Sequence, residues 1–434
     1  MIDKRKQHMT WYTPRNGAEK KRYLWLPTLL FGDGLVAPVI MLTMVMLRRL
    51  GLDTADAALS IALLCLPMML RPLFEMVVAH FWGTSKVWIL STLFISSLSL
   101  AAVAFTLHTS NWLLGTLCFM PFFVCSAIFY NIAVHRFYIN LPQERHPSRI
   151  PPLKMLPTMM ALLFGAGIMI MVGGNMEVLT RNIRYSWSLV FYIIAGVELF
   201  LWLWLIIFLP GGTHGYAMLK PTMGLHRGEF GVAMRRILSN RSDVATLLFL
   251  LLFLLPEALL FLIAPLFLIA KPHTGGLGLS PQEYAFIQGT IATIAMALGY
   301  IIGSKTTNRY GLRHWLLPTA LILALHGLAL LFISNHTAAS LSVVAIALAI
   351  GNGTQGFALS VVKSVMMLFT RNTPDYTLRH AIACTFIATP FVALGLLTGL
   401  LLITFDYQQL FLLATELSAV PLIIAAFYLY RTKK

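Results

Sequence analysis

The chain has 434 residues, 58% of them apolar and only 11% charged, with a mean hydropathy of +0.78. That balance excludes a soluble globular protein and indicates a polytopic membrane protein. Lys and Arg number 32 against 16 Asp and Glu, and the placement of that surplus beside apolar segments argues for lipid contact and against nucleic-acid binding.

A basic tail, residues 1–23, comes first, with seven cations between Lys4 and Arg22. It lacks an apolar core ahead of a small-residue cleavage site, so it is read as a topology-fixing tail against anionic headgroups, not as a signal peptide. Twelve apolar stretches follow, each long enough to cross roughly 30 Å of hydrocarbon at about 1.5 Å per residue. They are predicted near 24–47, 56–79, 86–107, 112–134, 153–174, 187–209, 244–270, 283–304, 314–334, 338–362, 380–403 and 406–429. Six spans make an N-terminal bundle (24–209) and six a C-terminal bundle (244–430), with 431–434 as a second tail. The polar, Gly-containing stretch 210–243 is the longest interior connection and reads as a linker, with a short amphipathic surface helix expected over Gly228 to Leu238. With the N-terminus inside, 26 Lys/Arg fall in cytoplasmic segments, one (Arg71) in a span, and five in outer loops, namely Arg48, Arg49, Arg181, Arg184 and Lys271. This positive-inside bias places both termini in the cytoplasm.

Against this apolar background the intramembrane charges carry the functional information. Asp33 in span one and Glu257 in span seven occupy similar places in the two halves: Asp33-Gly-Leu-Val-Ala-Pro38 beside Glu257-Ala-Leu-Leu and Ala264-Pro265. A carboxylate at mid-bilayer costs roughly 2.5–3.5 kcal/mol on the insertion scale, so a functional role is the default expectation. Both are candidates for proton coupling, and Pro256 beside Glu257 implies a kink that presents the acid. Arg71 and Glu75 stand one turn apart on span two and are expected to pair with each other, with Arg71 also able to meet an anionic solute group. Glu198 and Glu416 are expected to make local helix contacts. Cys65, Cys118, Cys125 and Cys384 have no metal-ligand spacing and read as packing residues. Gly165, Gly167, Gly173, Gly174, Gly395 and Gly399 allow close helix approach.

Several segments, taken in order, carry a resemblance. Leu66-Pro67-Met-Met-Leu-Arg71 lies in span two, and Leu141-Pro142-Gln143-Glu144-Arg145 follows span four. A longer run goes from Glu257 through Pro265-Leu-Phe-Leu-Ile, Gly278-Leu-Ser280 and Gln288-Gly289-Thr290 to Asn308-Arg309-Tyr310-Gly311-Leu312-Arg313, and Gly351-Asn352-Gly353-Thr354-Gln355-Gly356 lies in span ten. With these the chain resembles the major facilitator superfamily, in particular its AmpG-type muropeptide permeases and, more distantly, the related acetyl-coenzyme A transporters. Departures accompany the match. Asn308 stands where the loop signature has an acid, and the first-half loop His80-Phe-Trp-Gly83-Thr-Ser-Lys86 has lost most of the pattern. Span four has Tyr130-Asn131-Ile132-Ala133 and then His135 where the family carries acids.

The resemblance implies an all-α integral membrane protein of twelve transmembrane helices in two six-helix bundles, the major facilitator fold, with spans one, four, seven and ten around the cavity. It makes Asp33, Arg71, Tyr130, Asn131, His135, Glu257, Asn352, Thr354 and Gln355 the cavity candidates, and Asn308, Arg309, Gly311 and Arg313 the gating-loop candidates. The expected activity is secondary transport of a small polar solute, an amino-sugar saccharide or peptidoglycan fragment, by proton symport across a bacterial inner membrane. No cofactor, metal or nucleic acid is expected, and the chain is expected to act as a monomer. The sequence leaves open a carrier-derived sensor that binds without transport, or a carrier of a different anion such as a coenzyme A ester. A membrane-embedded transferase has less support, since no Walker A, GxSxG or HExxH pattern occurs.

Overall fold

The computed structural model describes residues 25–80, 84–139, 151–209, 227–336, 339–371, 373 and 375–431. Among the described residues twelve helices are long and apolar enough to cross a membrane: Trp25–Arg49, Thr54–His80, Ser85–Thr106, Trp112–Tyr138, Leu156–Thr180, Ile183–Phe208, Arg241–Ile269, Pro281–Tyr310, Leu312–Asn335, Leu341–Thr370, Tyr376–Thr404 and Tyr407–Arg431. They are spans one to twelve of a multi-pass membrane protein. Span one begins at what is called here the near face, and twelve crossings return the chain to it; the other is the far face. The expected surface helix is present over Arg227–Ser239. The basic tail, the Leu141–Arg145 loop, residues Phe81 to Gly83, linker residues 210–226 and the last three residues lie outside the described residues.

Two expected span ends are corrected. Span four continues to Tyr138 and span ten to Thr370, so Arg136 and Lys363, counted in loops from the sequence, belong to spans. The apolar run stops at these cations, but backbone hydrogen bonding carries each helix on, and Arg136 is buried against Glu75 instead of lipid.

Both acid-bearing spans are broken, and on opposite sides of their acids. Span one is helical over Trp25–Gly34 and again over Val36–Arg49, so Asp33 lies on the near side of its break. Span seven is helical over Arg241–Leu252 and Leu255–Ile269, with Pro256 opening the second piece and Glu257 beyond the break. Proline lacks the amide that would continue the first helix, which accounts for the interruption.

The apolar packing divides the molecule by depth. One core takes residues from all twelve spans, among them Val45, Ile61, Val103, Phe123, Ile170, Trp187, Phe267, Tyr284, Ile333, Val344, Val392 and Phe411. Nearly all belong to the far halves of their spans. Towards the near face two separate cores replace it. One is built only from the N-terminal bundle, with Trp25, Leu29, Leu93, Val134 and Leu205. The other is built from the C-terminal bundle and its preceding helix, with Ile237, Phe253, Leu316, Phe357, Leu378 and Tyr428. The halves thus share one apolar core at the far face and keep separate apolar cores at the near face, where span eleven still packs against the Arg71–His80 part of span two.

Glycines make the far-face closure possible. A Cβ at Gly289 of span eight would collide with the carbonyl of Ala166 in span five, and one at Gly174 would meet Pro281 and Gln282. Gly395 and Gly399 of span eleven likewise sit against Ala62 and Ala55 of span two. Backbones approach here as in small-residue helix pairs, where van der Waals contact replaces a missing hydrophobic drive.

Candidate functional site

Polar side chains gather where the two near-face cores part. Asn131 of span four donates through Nδ2 to Asp33 Oδ1 of span one and accepts at Oδ1 from Arg71 Nη2 of span two. One amide therefore joins a carboxylate and a guanidinium that sequence distance keeps apart. Asp33, Asn131 and Arg71 are all half-buried, a degree of exposure that lipid contact would not tolerate and a polar interior does. Lys363 of span ten is exposed and stands within electrostatic reach of Asp33.

The expected Arg71–Glu75 pair is replaced by another. Glu75 is 4% exposed and pairs with Arg136 of span four, whose Nε lies 2.8 Å and Nη2 2.7 Å from Glu75 Oε1. Arg136 Nη2 also donates to the Glu75 carbonyl at 3.2 Å. A planar fork from a neighbouring helix satisfies the carboxylate better than a long side chain one turn away on the same helix. Arg71 is thereby left to Asn131, and its Nε is buried with no hydrogen-bond partner among the described residues.

His135 and His380 join the halves. Their rings, from spans four and eleven, stack with centroids 3.7 Å apart, and Tyr376 stacks on His135 at 5.3 Å. Thr385 of span eleven donates to the Met69 carbonyl of span two at 3.3 Å. His135 Nε2 is buried without a partner among the described residues. Neither His380 nor Lys363 stood out in the sequence, because a lone His or Lys near a helix end reads as an ordinary terminal residue.

Glu257 stands apart from this group. It is 1% exposed, and its Oε2 lies 2.8 Å from His326 Nδ1 on span nine, while Oε1 is buried without a partner among the described residues. His326 is held by span ten: a Cβ at Gly351 would lie 2.5 Å from the imidazole Cδ2. The acid is therefore directed into the C-terminal bundle, towards spans nine and ten.

The remaining candidates divide between packing and surface. Tyr130 is 3% exposed and donates to the Leu29 carbonyl at 3.0 Å, with its ring against Gly32, so it ties span four to span one inside the N-terminal bundle. Asn352 donates to the Leu348 carbonyl at 2.9 Å and accepts from Gln288 of span eight at 3.5 Å. Thr354 donates to the Gly351 carbonyl at 2.7 Å, and Gln355 is half-buried. The glycines around them let span ten lie backbone-to-backbone on span eight, since a Cβ at Gly299 or Gly356 would strike the carbonyls of Gly353 or Met296. Asn308, Arg309 and Arg313 are exposed at the near face. Gly311 turns the chain there at φ +88°, a conformation that favours glycine, and Arg309 lies 5.3 Å over the Tyr310 ring. Glu198 accepts from Ser96 at 2.6 Å, joining spans three and six. Glu416, expected to contact a neighbouring helix, is instead exposed on span twelve.

Among solved structures the chain is similar to that of a D-xylose–proton symporter, with TM-score 0.69 and 10% identity over 94% of this chain and 97% of the other. It is also similar to a bacterial homologue of the human lysosomal transporter Spinster in an inward-facing, unoccupied conformation, with TM-score 0.68 and 16% identity over 96% and 98%. A third likeness is to the nucleoside transporter NupG, with TM-score 0.65 and 14% identity over 95% and 99%. At these identities the shared property is the fold. No protein-family model matches the chain, and no curated protein matches it.

Proposed function

We propose that the chain is a secondary transporter that moves a small polar solute by alternating access, with proton symport. The observation that carries this reading is the division of the apolar core. The halves share one core at the far face and keep separate ones at the near face, and the chain Asp33–Asn131–Arg71 stands where they part. Across the near face the halves touch through the His135–His380 stack and the Thr385–Met69 hydrogen bond, and parting these contacts by rocking one bundle on the other gives a solute access to the mid-membrane polar groups from one side. The D-xylose–proton symporter lends support by analogy of fold.

The near face is assigned to the cytoplasm of a bacterial inner membrane, because the basic segments lie there. The solute class is an amino-sugar saccharide or peptidoglycan fragment, and the unit is the monomer. Glu257 is assigned to proton coupling. Its 2.8 Å contact with His326 offers a path along which a proton could pass between the two side chains. Asp33, Asn131 and Arg71 are assigned to the solute.

A thermal-shift screen of the purified chain against muropeptides, amino sugars, oligosaccharides and coenzyme A esters finds the ligand, since a molecule that binds the folded state raises its apparent stability. Uptake of that ligand into proteoliposomes is expected to follow an imposed proton gradient. Turnover of the ligand into a new compound, or binding with no accumulation under any gradient, contradicts the transport reading.

A further inference from the structure

Glu198 of span six is a buried acid without a counter-charge. It is 2% exposed and takes one hydrogen bond, from the Ser96 hydroxyl of span three to its Oε2 at 2.6 Å. No Lys, Arg or His stands within ion-pair distance of it among the described residues, whereas Glu75 has Arg136, Glu177 has Arg49 and Glu257 has His326. An ionised carboxylate alone in apolar packing is strongly disfavoured, while the neutral acid needs only hydrogen-bond partners.

Beside Glu198 lies a cavity of about the size that holds one water molecule. Gly32 of span one, Thr92 and Ser96 of span three, Tyr130 of span four and Glu198 itself wall it, together with apolar side chains such as Leu35 and Phe123. The hydroxyl hydrogens around it are already committed. Thr92 donates to the Trp88 carbonyl at 2.7 Å, Tyr130 to the Leu29 carbonyl at 3.0 Å, and Ser96 to Glu198. The polar side chains thus offer the cavity oxygen lone pairs and no donor. A proton on Glu198 supplies the donor and removes the charge together. A metal cation would need a shell of oxygens, which walls of Leu and Phe do not give.

We propose that Glu198 and Ser96 form a second proton-binding site, enclosed in the N-terminal bundle, with the cavity holding the water through which its proton is exchanged. Ser96 holds Oε2, and Oε1 carries the proton. Exchange moves one proton between Oε1 and that water, which takes it away as hydronium, and no bond between heavy atoms changes. Few groups face the site. Span one presents Gly32, with Asp33 turned to Asn131; span three presents hydroxyls; span four presents Tyr130; and Glu177 of span five meets Trp187, about three turns away along span six. Gly32 and Tyr130 are followed directly in sequence by Asp33 and Asn131, so a proton gained or lost at Glu198 changes the charge behind the Asp33–Asn131–Arg71 chain. The site follows from the burial and the hydrogen bonds and stands whether or not the chain transports.

The test is infrared difference spectroscopy of the purified full chain in lipid, with the carboxyl C=O band of Glu198 assigned by its loss in Glu198→Gln. The unaltered protein is expected to show that band at neutral pH, to shift it on transfer to heavy water, and to lose it as the pH is raised. Ser96→Ala is expected to keep the band and move it to higher frequency, because the carbonyl oxygen loses its hydrogen bond, and this shift assigns the band independently if Glu198→Gln does not fold. The proposal is overturned if neither variant alters a carboxyl band at neutral pH, which makes Glu198 ionised. A band that fails to shift in heavy water, or that persists to the highest pH at which the chain stays folded, overturns it as well, since the proton is then a fixed part of the packing. Loss of the band on adding Na+ at constant pH and ionic strength overturns it in favour of an alkali-cation site.

Discussion

Asp33 and Glu257 occupy corresponding spans of the two halves, but one joins a chain of polar side chains from spans one, two and four and the other is enclosed within a bundle. Asp33 is half-buried and reaches Arg71 through the Asn131 amide. Glu257 is 1% exposed, touches His326, and keeps one oxygen without a partner among the described residues. The helix breaks explain the difference, since Asp33 precedes its break and Glu257 follows its own. The lesson is that two acids at matching places in an apolar background can have opposite surroundings, one among polar side chains of neighbouring spans and one enclosed with a single imidazole.

If the enclosure of Glu257 is real, removing its partner should be expensive. His326→Ala leaves the carboxylate alone in apolar packing and is expected to cost about 3 kcal/mol, as for other buried pairs broken on one side, measured as reversible unfolding in detergent. Gly351→Ala tests the same enclosure from span ten. Its new methyl meets the imidazole ring and the His326 Cα, so the expected loss is about 1–3 kcal/mol from overpacking. The polar side should be more tolerant. Asn131→Ala removes the bridge between Asp33 and Arg71, but water can replace an amide in a half-exposed place, and the expected loss is about 1 kcal/mol. Its larger effect should fall on solute affinity. A stability cost for Asn131→Ala above that of His326→Ala would reverse the comparison.

Much of the fold was legible in the sequence, because spans advertise themselves by apolar length. The ends at 134 and 362 were misjudged because hydropathy stops at Arg136 and Lys363 while the helices continue. The candidate site was legible only in part. Asp33, Asn131, Arg71 and His135 stood out as polar residues in apolar helices, and the structure brings them to one place. Arg136, Lys363, His326 and His380 did not stand out, since each matters through a partner on another span. His326 and Glu257 are 69 residues apart, and no periodicity within one helix reports such a meeting. The Arg71–Glu75 expectation failed for the same reason: spacing within span two recommended the pair, and Arg136 from span four offered the carboxylate a better fork.

The division of labour between the two acids is tested most directly by comparing accumulation with exchange. In proteoliposomes containing the ligand found by thermal shift, Glu257→Gln is expected to abolish accumulation driven by a proton gradient while retaining exchange of labelled for unlabelled solute. Asp33→Asn is expected to weaken both through poorer solute binding. Gradient-driven accumulation by Glu257→Gln equal to that of the unaltered protein would contradict the account.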